Sequence, residues 1–132
     1  MTTGISGANL ANKWLDMIGG TAFTAPAASY AGLHTADPGA AGTTAPCTGA
    51  VGGSRKAVAW GAAAAGSKAM TGTPSWASWD GGSVTISHIS AWDASSSGNF
   101  LFSGALAAGQ AITNGSTFNL TSLSIALTPI AA

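Results

Sequence analysis

Residues 83–106 constrain the fold more than any other part of the sequence. In the first arm, residues 83–92, Val84, Ile86, His88 and Trp92 fall on one side, and Thr85 and Ser87 on the other. Such alternation predicts a half-buried β-strand. The second arm, residues 100–106, is aromatic and aliphatic enough for a strand with both faces partly covered. Short polar residues and a glycine join the arms at residues 93–98, so the segment predicts a β-hairpin at the centre of a small β domain.

Short strands are also predicted on both sides of this hairpin, at residues 29–35, 55–60, 68–73, 110–113, 117–120 and 123–127. Asn114-Gly115 is a strong signal for a second hairpin between residues 110–113 and 117–120. The predicted fold is therefore mainly β. We expect an antiparallel two-sheet β-sandwich, jelly-roll-like, formed by one domain over residues 21–132.

Residues 9–18 are expected to form an amphipathic helix within an N-terminal unit, residues 1–20. Its apolar stripe contains Leu10, Trp14, Met17 and Ile18, at helical spacing. Ser6 or Asn9 is suited to cap its start, and Gly19-Gly20 to end it. The stripe either packs on the sheet or docks on a partner subunit.

Residues 36–54 are almost entirely Gly, Ala, Thr, Pro and Ser, apart from Asp37, Cys47 and Val51. A loop of this length is uncommon in a compact domain and usually has a function or is mobile. We expect it to lie exposed or to reach a neighbouring subunit.

Charged residues make up only 6% of the chain, and its net charge is zero. Such a surface gives little electrostatic protection against self-association, which suits a component of an assembly. Four basic residues spread along the chain do not supply a nucleic-acid-binding patch. The sequence also shows no secretion signal and no stretch of about 18 apolar residues that would span a membrane.

The sequence contains no pattern that predicts catalysis, a metal site or a cofactor. His34 precedes Asp37 by three residues and His88 precedes Asp93 by five, and neither spacing on a strand matches a metal motif. A Gly-x-Ser-x-Gly motif of hydrolases is absent from the sequence. Cys47 is the single cysteine, and we interpret it as a passive thiol. The chain is predicted not to be an enzyme.

The tryptophans leave three interpretations open. Trp76, Trp79 and Trp92 are suited to fill the core, to anchor a subunit contact, or to form a platform for a sugar ring. Together with the helix stripe they define the candidate interface residues, which are Leu10, Trp14, Met17, Trp76, Trp79 and Trp92.

Several motifs, in this order, resemble a family of small phage virion proteins labelled tail fibre or minor tail proteins. They lie at residues 11–16, 21–26, 30–38, 55–60, 79–93 and 98–106, and so cover nearly the whole chain. The resemblance implies a non-enzymatic structural component of a bacteriophage virion, assembled in the host cytoplasm.

With the uncharged surface, this resemblance leads us to expect an oligomer on the particle surface, as a tail protein or a capsid decoration protein. Its partners would be other copies of itself and other virion proteins. The alternative is a carbohydrate-binding module that recognises host cell-wall glycan through exposed tryptophans.

Overall fold

The computed structural model describes residues 3–127. A π-helical turn, Gly7–Ala11, leads into helix α1 (Asn12–Ile18). The strands that follow in the described residues are β1 (Ser29–His34), β2 (Lys56–Trp60), β3 (Ser67–Thr71), β4 (Ser75–Trp76), β5 (Val84–Trp92), β6 (Phe100–Ile112), β7 (Phe118–Asn119) and β8 (Ser124–Ala126). The predicted units 1–20 and 21–132 also include residues 1–2 and 128–132, which lie outside the described residues.

Within residues 3–127, six strands form a curled antiparallel sheet in the order β6-β5-β1-β2-β3-β8, and β4 pairs with β7 in a two-stranded sheet. The prediction of a mainly β chain with an N-terminal helix is confirmed. The jelly-roll-like sandwich is not confirmed. The pairings of β1 with β2, β2 with β3, and β3 with β8 extend a single curled sheet, and the second sheet has only the strands β4 and β7 within the described residues.

The central hairpin is confirmed as β5 paired with β6. Its turn is held by Asp93, whose carboxylate accepts hydrogen bonds from the backbone N–H and the side-chain amide of Asn99, both at 2.7 Å. Gly98 takes the left-handed conformation in this turn, with φ of +74°. Glycine adopts that conformation without steric cost.

The hairpin is irregular halfway along. Between the pairs Ile86–Gln110 and His88–Ala105, the chain advances two residues on β5 and five on β6, so β6 bulges over residues 106–109. On β5, Ile86 and Trp92 are buried as the alternation predicts, but Ile89 and Ala91 on the opposite face are buried too. The later half of β5 is thus covered on both faces rather than half-buried.

The turn at Asn114-Gly115 forms, but the hairpin predicted around it is wrong. Ser116 N–H donates to Thr113 O (3.1 Å), and Gly115 has φ of +84°. However, the end of β6 already pairs with β5, and β7 pairs with β4. Trp79 takes the place of a hairpin partner at this turn: its N–H donates to Ser116 O, and its carbonyl accepts from Gly115 N–H, both at 2.8 Å.

The 36–54 loop is bound to the sheet along one side. Thr35 N–H donates to Ala45 O (3.0 Å) and Cys47 N–H donates to Leu33 O (2.9 Å), which continues antiparallel pairing past the end of β1. Farther along the loop, the carboxylate of Asp80 accepts hydrogen bonds from three successive backbone amides, those of Ala50, Val51 and Gly52, at 2.7 to 3.1 Å. These amides, Gly52 first, lower the pKa of Asp80.

The expectation of an exposed loop is therefore wrong where the loop meets the sheet. Pro38, Gly42, Cys47 and Gly52 are buried. Gly42 has φ of +73°, and a Cβ added there would overlap the ring of Phe100. The small residues of this segment let its backbone approach the aromatic rings closely, and its backbone polar groups find partners there.

The large sheet has two covered faces. Pairing places Leu33, Ile89, Ala91 and Phe102 on one face, and His34, Ser90 and Trp92 on the other. The 36–54 loop covers the second face through Thr44, whose carbonyl accepts a hydrogen bond from His34. The unit formed by β4 and β7 supplies further buried side chains, namely Trp76, Trp79, Phe118 and Leu120.

Candidate functional site

The N-terminal helical segment begins firmly attached to the sheet. The hydroxyl of Ser6 accepts a hydrogen bond from Asn9 N–H (3.3 Å), as predicted for a cap. The side-chain amide of Asn9 donates to Phe100 O (2.8 Å), which ties the segment to β6. Leu10 is buried in the core, and Trp14, one turn later, is half-buried against it.

The end of the same segment is uncovered. Leu15 is 65% exposed, Met17 53% and Ile18 83%, and we call these three side chains the α1 apolar end. Gly19 N–H then donates to Asp16 O (3.0 Å) and Gly20 N–H to Met17 O (3.0 Å), which closes the helix. At 100° per residue, Ile18 lies between Met17 and Leu15 round the helix, so this end of the helix presents apolar side chains suited to contact another protein.

An apolar groove opens on the sheet face opposite the 36–54 loop. It has a volume of about 500 Å³. Strands β2, β6 and β8, the start of the helical segment and residues 25–29 line it, through side chains that include Val58, Trp60, Phe102, Ile125 and Leu10. Ring contact between Trp60 and Phe102, with centroids 6.2 Å apart, fixes its floor.

Trp76 and Trp79 are buried inside the chain. Trp79 is 1% exposed, and its indole N–H donates to Gly82 O (2.9 Å). Trp76 donates to Ser54 O (2.8 Å), and its ring packs on that of Phe118, with centroids 5.8 Å apart. Each indole thus has its polar group satisfied and its faces in contact with protein, as expected of core tryptophans.

Trp92 is also buried, and its ring faces are occupied. The guanidinium of Arg55 lies over the ring at 3.6 Å from the centroid, and Phe100 packs at 5.5 Å between centroids. Arg55 is held there by hydrogen bonds to Ala94 O (3.1 Å) and Ser97 O (2.6 Å). A platform for a sugar needs an open aromatic face, so the expectation that these three tryptophans are exposed for glycan binding is wrong.

His34 and Ser90 form a buried polar cluster with Trp92. His34 Nε2 and the indole N–H of Trp92 both lie 2.8 Å from Ser90 Oγ. A serine beside a histidine invites comparison with hydrolases, but Ser90 has no exposed surface and its oxygen already accepts the indole N–H. The arrangement is therefore that of a structural hydrogen-bond cluster. Burial lowers the pKa of His34.

The other candidates for chemistry lie apart. Cys47 is buried, and burial raises the pKa of its thiol to about 11, so that it is protonated at neutral pH, in agreement with a passive thiol. Among residues 3–127, no three His, Cys, Asp or Glu side chains are grouped so as to hold a metal ion. None of the helices described is long and apolar enough to cross a membrane.

Of the six candidate interface residues, only Met17 and Trp14 keep substantial exposed surface. Leu10, Trp76, Trp79 and Trp92 are each at most 6% exposed. Sequence reasoning did not select Leu15, which lies about 100° round the helix from Trp14, outside the apolar stripe. A large aliphatic residue outside the stripe indicates a candidate interface, since no contact within the chain is expected to cover it.

Comparison with known proteins adds a family to this geometry. No curated protein matches the chain. The family described as Podophage GP4 fiber I protein gp80 matches residues 6–128, which include all the helices and strands described above. This agrees with the resemblance to phage tail fibre proteins and makes the protein a structural part of the virion. The chain therefore belongs to the podophage GP4 fiber I protein gp80 family.

Proposed function

We propose that this chain is a non-enzymatic, repeated subunit of a phage fibre and that it contacts a second copy of itself through the α1 apolar end. The single observation that carries the proposal is the exposure of Leu15, Met17 and Ile18 on a chain of a phage fibre family. Covering such a surface by a neighbour removes apolar area from water, which favours association.

The composition of the chain supports self-association. With charged residues at 6% and a net charge of zero, two copies approach with little electrostatic repulsion. The charges that exist are partly engaged within the chain: Asp80 binds backbone amides, Asp93 binds Asn99, and Arg55 binds two carbonyls. Contact between apolar side chains is thus the main interaction available to hold two copies together.

The candidate residues contribute unequally to this contact. Ile18 lies between Met17 and Leu15 round the helix and is central to it, Met17 and Trp14 lie towards its border, and Leu10 is buried beneath the helix. Leu15 and Ile18 join the proposed contact because their exposed fractions are the largest of the helix's large apolar side chains. Trp76, Trp79 and Trp92 support the contact indirectly, by stabilising the subunit.

Position on the particle is tested by copy number. Quantitative mass spectrometry of purified virions, with the major capsid protein as internal standard, counts the chain per particle. A fibre subunit occurs in small multiples set by the symmetry of the tail, about three to twelve or a few times that. Hundreds of copies would instead assign it to the other location considered, decoration of the capsid.

Incorporation into particles tests the contact itself. A phage that lacks this gene is supplied in trans with the wild-type chain or with a Leu15→Ser/Ile18→Ser variant. The proposal expects the variant to be soluble and folded but depleted from purified virions. Incorporation at the wild-type level would overturn the role of the α1 apolar end.

A further inference from the structure

His34 connects three separate parts of the chain. It ends β1, is only 3% exposed, and uses both ring nitrogens. Nδ1 lies 2.8 Å from Thr44 O in the 36–54 loop, and Nε2 lies 2.8 Å from Ser90 Oγ on β5. The ring is therefore a side-chain link between the loop and the sheet face that the loop covers.

The partners fix the protonation of the ring. A carbonyl oxygen only accepts, so Nδ1 carries the hydrogen that bonds Thr44. The Nε2 atom of the neutral ring then accepts the hydroxyl hydrogen of Ser90, whose oxygen accepts the indole N–H of Trp92 (2.8 Å). Every polar hydrogen in this cluster has an acceptor as long as His34 is neutral.

A proton on Nε2 breaks this arrangement. Nε2–H would have to donate to Ser90 Oγ, and the hydroxyl hydrogen of Ser90 would lose its acceptor in a site with no exposed surface. A buried donor without an acceptor destabilises the state that contains it. The charge would also be buried, which is costly unless an anion pairs with it.

The charged and titratable groups around the ring add to this cost. Burial is the largest effect and lowers the pKa of His34, whereas the hydrogen bond to Thr44 O favours the charged ring and raises it. His88, paired with His34 across β1 and β5, and Arg55, next to β2, lower it further as like charges. Cys47, from the loop, lines the same cavity and has a pKa raised to about 11, so that it brings no negative charge there near neutral pH.

We propose that His34 is an acid-sensitive lock: neutral, it holds the 36–54 loop on the sheet, and protonated, it releases the loop while the β5–β6 hairpin stays folded. Release frees His34 to reach water, where the charged form is stable. The loop then loses the hydrogen bonds that depend on its position, Thr35 N–H to Ala45 O and Cys47 N–H to Leu33 O.

Acid favours the released state, because that state binds a proton more readily than the locked state. The released state binds a proton near pH 6.5, the ordinary value, whereas the locked state binds one only at lower pH because its pKa is lowered. The locked state is therefore favoured at and above neutral pH, and its advantage shrinks as pH falls below about 6.5. With one proton involved, the ratio of locked to released molecules falls by at most tenfold per pH unit, between pH 6.5 and the lowered pKa of the locked state.

Amide hydrogen exchange measures this ratio residue by residue. Protection factors, which are corrected for the intrinsic rate at each pH, are recorded between pH 7.5 and 5 for the amides of Thr35, Thr44 and Cys47 and for β5–β6 amides. We expect loop protection to be lost progressively as pH falls below 6.5 and β5–β6 protection to stay constant. The carboxylates of Asp80 and Asp93 remain ionised over this range, because their pKa values are lowered.

Two variants serve as test and control. His34→Gln places an uncharged amide between Thr44 and Ser90, so loop protection should become independent of pH. His88→Gln is the matched control, since it removes the other histidine, whose ring bonds Ser87 on its own strand (2.8 Å), and leaves His34 in place. It should keep the loss of loop protection in acid, displaced towards higher pH because one charge that lowers the pKa of His34 is gone.

The ring of His34 gives a second readout in the wild-type chain, should the His34→Gln variant fail to fold. Long-range ¹H–¹⁵N spectra report the tautomer and the titration of each histidine. The lock requires the Nδ1–H tautomer at pH 7.5 and titration of His34 below 6.5, together with the loss of loop protection. Constant loop protection from pH 7.5 to 5, or an Nε2–H tautomer, would overturn the proposal.

Discussion

Helix α1 and the 36–54 loop differ from what their sequences suggest, because the helix ends in exposed apolar side chains and parts of the loop are buried. The amphipathic helix has an apolar stripe made for packing, yet Met17 and Ile18 in that stripe are exposed. The loop is rich in Gly, Ala and Thr, yet Pro38 and Cys47 within it are buried and its backbone is hydrogen-bonded to β1.

The contrast shows what decides burial in this chain. Small residues allow the loop backbone to reach the rings of Trp79 and Phe100, where a Cβ at Gly52 or Gly42 would collide with them. The helix has the better apolar pattern, but the contacts that hold it to β6 and the core lie towards its start, at Asn9, Leu10 and Trp14. Exposure therefore follows the tertiary contacts rather than the hydrophobicity of the segment, and it leaves Leu15, Met17 and Ile18 in water.

The largest expected effect comes from removing a ring on which the loop rests. Trp79→Ala should lower the free energy of unfolding by about 3–5 kcal/mol, because the side chain is fully enclosed and its loss leaves a cavity. Urea titration followed by circular dichroism measures it. Trp14→Ala, at a half-buried site of the helix, is the control and should cost clearly less. Equal losses would contradict the assignment of Trp79 to the core.

Close approach of the loop to Phe100 is tested by glycine substitution. Gly42→Ala should destabilise the fold by about 1–3 kcal/mol from overpacking, in addition to its backbone cost. Gly72→Ala is matched, since Gly72 has φ of +79° but no atom within 4 Å of an added Cβ. It should show only the left-handed backbone cost, about 1 kcal/mol. The same loss at both sites in thermal unfolding would mean that the loop does not press on the ring.

Acid should weaken the attachment of the loop through Asp80. The amides of residues 50–52 lower the pKa of this carboxyl below 3.8, so its contribution is present above about pH 4 and is lost as pH falls through the lowered value. Asp80→Asn should reduce the stability difference between pH 7 and pH 2 in urea titrations. An unchanged difference would show that the three amides do not depend on the charge.

The smallest effect on stability is expected at the α1 apolar end. Ile18→Ser should change the free energy of unfolding of the subunit by no more than about 0.5 kcal/mol, because the side chain is already in water. Leu10→Ala, in the same stripe, should cost about 2–5 kcal/mol, because Leu10 is buried. Chemical denaturation at low protein concentration separates the two. A large loss at Ile18 would mean that it packs within the chain.

Local patterns predicted much of the sheet. The alternation in β5, the turn at Asp93 to Gly98 and the strand at Phe100 lead directly to the central hairpin. Most of the other predicted strands are present, with ends shifted by a few residues. These features depend on neighbouring residues, which is why a sequence reveals them.

Pairing between distant segments could not be predicted in the same way. Asn114-Gly115 does make its turn, but Trp79, more than thirty residues earlier, takes the backbone partners that a hairpin would have used. The bulge in β6 and the short strand at Ser75-Trp76 depend on tertiary contacts as well.

The candidate interface could be predicted only in part from the sequence, because burial also depends on tertiary contacts. Trp76, Trp79 and Trp92 have the chemistry of interface anchors, and only the folded chain reveals that their faces are already in contact with protein. Leu15 was overlooked because it lies outside the stripe. The family resemblance, by contrast, depends on the order of motifs along the chain and is confirmed by the match to residues 6–128.

Self-association of the purified chain tests the central claim most directly. Sedimentation equilibrium gives the mass of the wild type, of Leu15→Ser/Ile18→Ser, and of Ala108→Ser as a control at an exposed site of β6. We predict that the wild type and the control form the same oligomer and that the double variant sediments as a folded monomer. A wild type that stays monomeric, or a double variant that keeps the wild-type mass, would contradict assembly through the α1 apolar end.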